Sequence, residues 1–300
     1  MRQMTNNKAS RRHALLKALG ITILALSILA SIAGAEPYAY ITNAGSNTVS
    51  VIDMAINKVT SIVNVGDLPC GVAVNPDGKK VYVTNAGSNN VSIIDTTKNK
   101  VTYTLDVESE PFGVAINPSG TKLYVTSIVS NTVSVINTMT NTVIATVPVG
   151  SSPTGLLVTP DGTKVYVANC INNTVSVIDA GTNNVIATVD VGKNIFPFGA
   201  AITPDGSKVY VANGNFFNGD GTVSVIDTGT NNVIATVNTG QIPLGVAATP
   251  DGSTVYVTNG NFFSSEGTVS AISTATNKVT ATVNVGHYPS AIFISNYRLH

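Results

Sequence analysis

Short runs of alternating apolar and polar residues cover most of the chain after its first 35 residues, and turn-forming residues separate the runs. Four runs follow one another in one clear stretch, at residues 71–74, 80–84, 91–95 and 101–107. Alternation with a period of two, in short runs rich in Val, Ile and Thr, is typical of β-strands. The pattern therefore predicts four short strands per unit.

The four-strand pattern recurs along the chain, and one tyrosine marks each unit. The spacings between these tyrosines are 42, 42, 42, 44 and 46 residues, at Tyr40, Tyr82, Tyr124, Tyr166, Tyr210 and Tyr256. Four-stranded units of this length, none able to bury both faces alone, are typical of β-propellers. The predicted fold class is therefore all-β, a six-bladed β-propeller of four-stranded antiparallel blades.

The two ends of the repeat region predict how the ring closes. The region opens at the second strand of a unit, Tyr38 to Thr42, and residues 289–295 match the first strand of a unit. We expect this C-terminal strand to pair beside Tyr38 to Thr42, which would close the first blade and leave no open sheet edge there.

Turn chemistry separates the predicted strands. The sequence Pro-Asp-Gly at residues 76–78, which recurs in later units, predicts a tight turn, because Pro fixes φ and Gly accepts a positive φ. An aspartate also ends the third strand in several units and predicts an Asx turn: Asp53, Asp95, Asp179 and Asp227. These acids are therefore assigned to turns and not to a site.

The first 35 residues differ in character from the rest. Basic residues up to Lys17 precede an apolar run from Ala18 to Ala33, and Ala33-Gly34-Ala35 follows the pattern of a cleavage site. We predict a signal peptide over residues 1–35 and a propeller over residues 36–300. The alternative is an uncleaved anchor, the only membrane contact expected. Both place the protein outside the cytoplasm, secreted or at the cell envelope.

Composition narrows the function classes. The chain has no Trp, which excludes WD repeats, and its three histidines leave no room for a His-rich metal cluster, so no cofactor or metal is expected. All five basic residues before position 36 lie in the leader, and the rest carries 11 basic and 16 acidic residues. A mildly acidic body argues against nucleic acid as a partner.

The sequence Tyr-Val-Thr-Asn at residues 82–85 and 256–259 resembles the YVTN family of β-propeller repeats, and the match keeps its phase from Glu36 to about Ser295. Relatives occur in archaeal surface-layer proteins and exported bacterial propellers, and many have seven blades where this chain has six units. The resemblance implies extracellular binding or scaffolding with no established reaction. Lactonase-type propellers are more distant relatives and keep a hydrolase as the alternative function.

Insertions break the repeat on one face, here called the top face, where the second strand ends and the fourth connects to the next blade. Blades 5 and 6 each carry four extra residues in a similar Asn-Gly-Asn-Phe-Phe segment, and two more lengthen the connection into blade 5. We predict a binding site there, formed by Phe196, Phe198, Phe216, Phe217, Asp220, Phe262, Phe263 and Glu266. Alternatively, the phenylalanines pack on one another, or Asp220 and Glu266 join a cation site.

A second candidate site lies at the mouth of the central channel. His287, Cys70 and Asp67 fall in connections that enter adjacent blades, and a thiol, a base and an acid can form a nucleophilic site. Alternatively, Cys70 has no catalytic role and is only a small residue at the start of a strand. Asn90 and Asn172 begin N-glycosylation sequons. The sequence favours a non-enzymatic module that binds a cell-surface protein or glycan.

Overall fold

The computed structural model describes residues 27–28, 38–193, 195–215, 220–260, 266–292 and 294. It contains six sheets of four antiparallel strands each, arranged as blades 1 to 6 in chain order. The all-β prediction and the count of six blades are confirmed. Among the described residues, no helix is long and apolar enough to cross a membrane.

Each blade is a simple up-and-down sheet whose strands follow chain order. Blades 1 to 3 contain β1 (Ser27–Ile28), β2 (Tyr38–Asn43), β3 (Thr48–Asp53), β4 (Lys58–Asn64); β5 (Pro69–Val74), β6 (Lys80–Asn85), β7 (Asn90–Asp95), β8 (Lys100–Asp106); β9 (Pro111–Ile116), β10 (Lys122–Ser127), β11 (Thr132–Asn137), β12 (Thr142–Pro148). Blades 4 to 6 contain β13 (Pro153–Val158), β14 (Lys164–Asn169), β15 (Thr174–Asp179), β16 (Asn184–Asp190); β17 (Phe196–Ile202), β18 (Lys208–Gly214), β19 (Asp220–Asp227), β20 (Asn232–Gln241); β21 (Pro243–Ala248), β22 (Thr254–Asn259), β23 (Gly267–Ser273), β24 (Lys278–Val285).

Apolar clusters fill the interfaces between consecutive blades, from blades 1 and 2 to blades 5 and 6. The repeated tyrosine of the second strand lies in these interfaces and is fully buried in blades 1 to 5. Burial raises the pKa of these tyrosines to about 12, as for Tyr124 and Tyr210. Within the part of the chain that the structure describes, no such cluster joins blade 6 to blade 1.

The first strands surround the central channel at very short range. A Cβ added at Gly155 would lie 2.3 Å from the backbone oxygen of Phe198 in the next blade, and one at Gly199 would lie 2.2 Å from that of Leu244. Gly71 and Gly113 have the same relation to blades 3 and 4. Each of these positions therefore requires glycine because of a close backbone approach, not because of a positive φ.

Side chains of the second strands add hydrogen bonds between blades. The Oγ1 atoms of Thr84 and Thr126 donate to the backbone oxygens of Phe112 and Thr154, at 2.7 and 2.8 Å. At the bottom of the ring, a lysine that begins the second strand reaches the next blade. Its Nζ donates to a backbone oxygen in four pairs: Lys80 to Thr138, Lys122 to Ala180, Lys164 to Thr228 and Lys208 to Thr274.

The top loops hold the next blade in a different way. Asn89 adopts a left-handed conformation, with φ 55°, and its Oδ1 accepts from the backbone N–H of Glu110 at 2.9 Å. Asn47 and Asn131 do the same for Leu68 and Ser152. The residue held in this way also has a positive φ, and its carbonyl oxygen accepts a hydrogen bond from a residue of its own blade. For example, the carbonyl oxygen of Glu110 accepts from the backbone N–H of Ile128 at 3.0 Å. Two bonds thus fix each strained residue.

Blade 1 corrects one part of the prediction. The strand paired with β2 is Ser27–Ile28 and not the C-terminal segment, with Ser27 opposite Tyr40 and Ile28 opposite Ala39. The physical reason is that β1 occupies the edge of β2 in the register that first strands use elsewhere, as Ala73 lies opposite Tyr82. Residues 290–292 lie instead beside β21, where Ala291 contacts Gly245, without forming a strand.

Replacing Gly155 with Ala tests the close approach of the first strands. The new methyl group must displace the backbone of Phe198, so we expect Gly155→Ala to lower the free energy of unfolding by about 1–3 kcal/mol. Gly45→Ala is the matched control, because no atom lies within 4 Å of a Cβ built there. Denaturant titration of both variants measures the difference, and equal stability of the two would contradict the steric explanation.

Candidate functional site

An apolar cluster closes the top end of the central channel. It consists of Phe112, Ile128, Cys170, Phe198, Ile242 and Leu244, and it is called the apical cluster below. Phe112 and Phe198 come from blades 3 and 5, and their rings meet edge to face with centroids 5.9 Å apart. Each follows a proline within the first two residues of a first strand, so the close approach of the strands brings them together. The channel therefore has an apolar plug on the top side.

The remainder of the channel is a narrow apolar cavity. Its volume is about 250 Å³, and its lining comes from the glycines of the first strands and from small aliphatic residues such as Val72, Val114 and Val246. The lining contains no charged side chain among the residues described there. Besides backbone groups, this lining offers a polar substrate only the Ser290 hydroxyl and the Cys70 thiol, so it lacks the paired acid and base that acid–base chemistry needs.

The structure separates the predicted phenylalanine site into parts. Phe198 is 6% exposed and belongs to the apical cluster, while Phe196 begins β17 and packs against that cluster half-buried. Phe216, Phe217, Phe262 and Phe263 lie outside the described residues. Asp220 is the first residue of β19, and Glu266 is exposed just before β23. Phe198 also lines the channel cavity, whereas Phe196 lies half-buried at the rim.

The channel-mouth residues are each held by other partners. Asp67 Oδ1 accepts from Asn47 Nδ2 at 2.9 Å, and Cys70 Sγ donates to the backbone oxygen of Leu68 at 3.4 Å. Burial raises the pKa of the Cys70 thiol to about 11, so the thiol is protonated at neutral pH. His287 is exposed beside Tyr288, and none of the described contacts brings His287, Cys70 and Asp67 together. The described residues include no group of three or more His, Cys, Asp or Glu that could hold a metal ion.

The two sequon asparagines differ in accessibility. Asn90 is the half-buried first residue of β7, and its Oδ1 accepts from Asn85 Nδ2 at 2.8 Å. Asn172 is exposed in the top loop of blade 4, where its Oδ1 accepts from the backbone N–H of Ser151. Glycosylation remains a prediction for both, and Asn172 is the more accessible of the two.

Charge is distributed unequally between the two faces. The bottom face has eight aspartates, several of them fixed in turns: Asp53, Asp77, Asp95, Asp161, Asp179, Asp205, Asp227 and Asp251. Nine lysines on the same face balance their charge: Lys58, Lys79, Lys80, Lys98, Lys100, Lys122, Lys164, Lys208 and Lys278. The described part of the top face has six acidic side chains, Asp67, Asp106, Glu108, Glu110, Asp190 and Glu266, and one lysine, Lys193. The acidic excess of the body is therefore a property of the top face.

The bottom aspartates are structural. Asp161 accepts from the hydroxyls of Thr159 and Thr163, and these hydrogen bonds lower the pKa of its carboxyl. The Asx turns predicted for the third strands are confirmed, for example by Ala55 N donating to Asp53 Oδ1 at 2.8 Å. These carboxylates are already engaged by local donors, so they are not candidates for a site.

Sequence reasoning missed three exposed apolar residues on the top face. Leu68, Val129 and Ile171 are 54%, 40% and 42% exposed, and they lie on the consecutive blades 2, 3 and 4. They are called the apolar arc below. Leu68 precedes the first strand of its blade, and the other two lie in loops after the second strand. For two of them the signal was available in the sequence, because Val129 and Ile171 stand where blades 1 and 2 have Gly45 and Gly87. Leu68 gave no such signal, because Phe196 and Ile242 occupy its position in later blades.

Together, these features define a six-bladed β-propeller with a plugged channel and an acidic top face. Comparison with family models places the chain in the YNCE-like beta-propeller family, which matches residues 8–130 and 114–259. The chain belongs to this family, which confirms the propeller resemblance found in the sequence.

Relatives and solved structures support the same fold. The chain resembles a structure of hydrazine synthase from Kuenenia stuttgartiensis, with a TM-score of 0.65 and 27% identity over 70% of this chain and 64% of that one. It also resembles a functionally unknown protein from Desulfotomaculum acetoxidans DSM 771, with a TM-score of 0.69 and 18% identity over 84% and 81% of the two chains.

A curated relative matches a short segment only. The PE-PGRS family protein PE_PGRS18 of Mycobacterium tuberculosis (strain ATCC 25618 / H37Rv) is 60% identical over 37 residues, which is 12% of this chain and 8% of that protein. The chain thus spans less than two thirds of the length of both this relative and the hydrazine synthase chain.

The reactivity of Cys70 tests the view that the channel mouth has no activated thiol. A thiol with a pKa of about 11 is ionised in about one molecule in ten thousand at pH 7, so we expect slow alkylation by iodoacetamide at pH 7 and a rate that rises about tenfold per pH unit until it levels off near pH 11. Cys170→Ala removes the second free thiol, and Cys70→Ser provides the blank. A fast reaction at pH 7 would restore Cys70 as a nucleophile.

Proposed function

We propose that the protein is an exported β-propeller that binds a partner at the cell surface through its top face, as a binding or scaffolding module. The expected partner is a cell-surface protein or a glycan. Export rests on the leader-like residues 1–35, and the binding role rests on the geometry of the top face. The channel-mouth hydrolase is not favoured, because no described contact assembles its residues.

The observation that carries the proposal is the unequal height of the ring. β20 has 10 residues, whereas the fourth strands of blades 1 to 4 have seven, and its end residue Gln241 pairs with Asp220. In blade 6, β24 has eight residues. The bottom connections between first and second strands keep one length in blades 2 to 6, such as residues 75–79 and 249–253. The fourth strands are thus longer at the top only in blades 5 and 6, which also carry the two inserted loops, as expected of a recognition face.

Loop exchange tests this role without disturbing the blades. Residues 214–221 and 260–267 are each replaced with the four-residue loop 170–173 of blade 4, and binding of the labelled protein to envelopes of the exporting cells is measured. We expect binding to be lost and the melting temperature to be retained, because the strands on either side keep their register. Phe217→Ala with Phe263→Ala should reproduce the loss of binding.

The matched control places the loop of blade 4 at residues 86–89 of blade 2, where no insertion exists. This exchange should leave binding intact. If loop exchange in blades 5 and 6 lowers stability and leaves envelope binding unchanged, the loops are packing elements and the proposal is wrong.

A further inference from the structure

We propose that the partner of the top face is a cationic protein segment that also carries apolar side chains. This inference rests on the proposed function and names the chemistry of the partner. It is carried by the unequal charge of the two faces and by the apolar arc of Leu68, Val129 and Ile171. An apolar surface edged by carboxylates is complementary to a segment that alternates lysine or arginine with aliphatic residues.

The acidic groups stand around the same part of the top face as the apolar arc. Asp67 directly precedes Leu68, and Glu110 occupies the position in blade 3 that Leu68 occupies in blade 2. Glu108 Oε2 accepts from Ser130 Oγ at 3.2 Å, next to Val129 in the chain. A carboxylate has about four acceptor sites, so these contacts leave room for an incoming cation.

The backbone that presents these groups is already fixed. The left-handed conformations of Leu68 and Glu110 are each held by an asparagine of the preceding blade, at 3.1 and 2.9 Å. A rigid surface loses little conformational entropy on binding, which favours affinity. The balanced bottom face has neither the acidic excess nor this arrangement.

A synthetic peptide of alternating lysine and leucine is the probe, and its binding to the full chain is measured by fluorescence anisotropy at low and high salt. We expect the combined variant Glu108→Gln and Glu110→Gln to bind about tenfold more weakly, and salt to weaken binding of the unmodified chain. Asp77→Asn with Asp251→Asn, on the bottom face, is the matched control and should bind unchanged, because Asn keeps the acceptor oxygen of each turn. Val129→Ser with Ile171→Ser should also weaken binding.

The controls separate the possible failures. A peptide of alternating lysine and serine that binds equally well would remove the apolar part of the proposal, and a glutamate–leucine peptide that binds equally well would remove the cationic part. Absence of binding by the lysine–leucine peptide overturns the inference altogether. Loop exchange decides the proposed function separately, since it can abolish envelope binding whatever the Glu108 and Glu110 variant does.

Discussion

The close approach of the first strands around the channel axis is the constraint on which the rest of the propeller depends. Because a Cβ at Gly155 or Gly199 would lie within 2.3 Å of a backbone oxygen, the strands meet backbone to backbone. This spacing fixes the width of the channel, and it forces the residue before each glycine toward the axis. Phe112, Phe198 and Leu244 therefore pack together at the top of the channel.

Two sets of blade-to-blade bonds complement this constraint. Lysines tie the bottom of each blade to the next, whereas the turn aspartates are satisfied by donors of their own turns. On the top face, the asparagine side chains fix the backbone and leave the neighbouring side chains free to vary between blades. The same fold thus has one face whose sequence is constrained by structure and one face available for recognition.

The sequence was sufficient for the parts of the fold that local chemistry determines. Period-two alternation, Pro-Asp-Gly turns and the aspartates at strand ends act over a few residues, and all were correctly interpreted. The placement of Phe198 depends on a contact with Phe112 that spans two blades, so no local pattern could assign it to the apical cluster. The pairing of blade 1 was missed because the partner of β2 comes from the apolar run before residue 36, which the sequence pattern assigned to a signal peptide. Among the candidate site residues, the sequence could not distinguish Phe196, which is half-buried at the rim, from Phe198, which is buried in the apical cluster.

The location of the acidic excess links the architecture to the choice between a binding protein and an enzyme. A catalytic site needs groups whose pKa values lie near the working pH, and the Cys70 thiol is shifted away from it, to about 11. Burial against the apical cluster causes that shift, and the position of this cluster follows from the glycine spacing of the first strands. The constraint that gives the ring its shape therefore works against nucleophilic chemistry at the channel mouth. It leaves the carboxylates and apolar side chains of the top face as the groups best placed to contact another molecule.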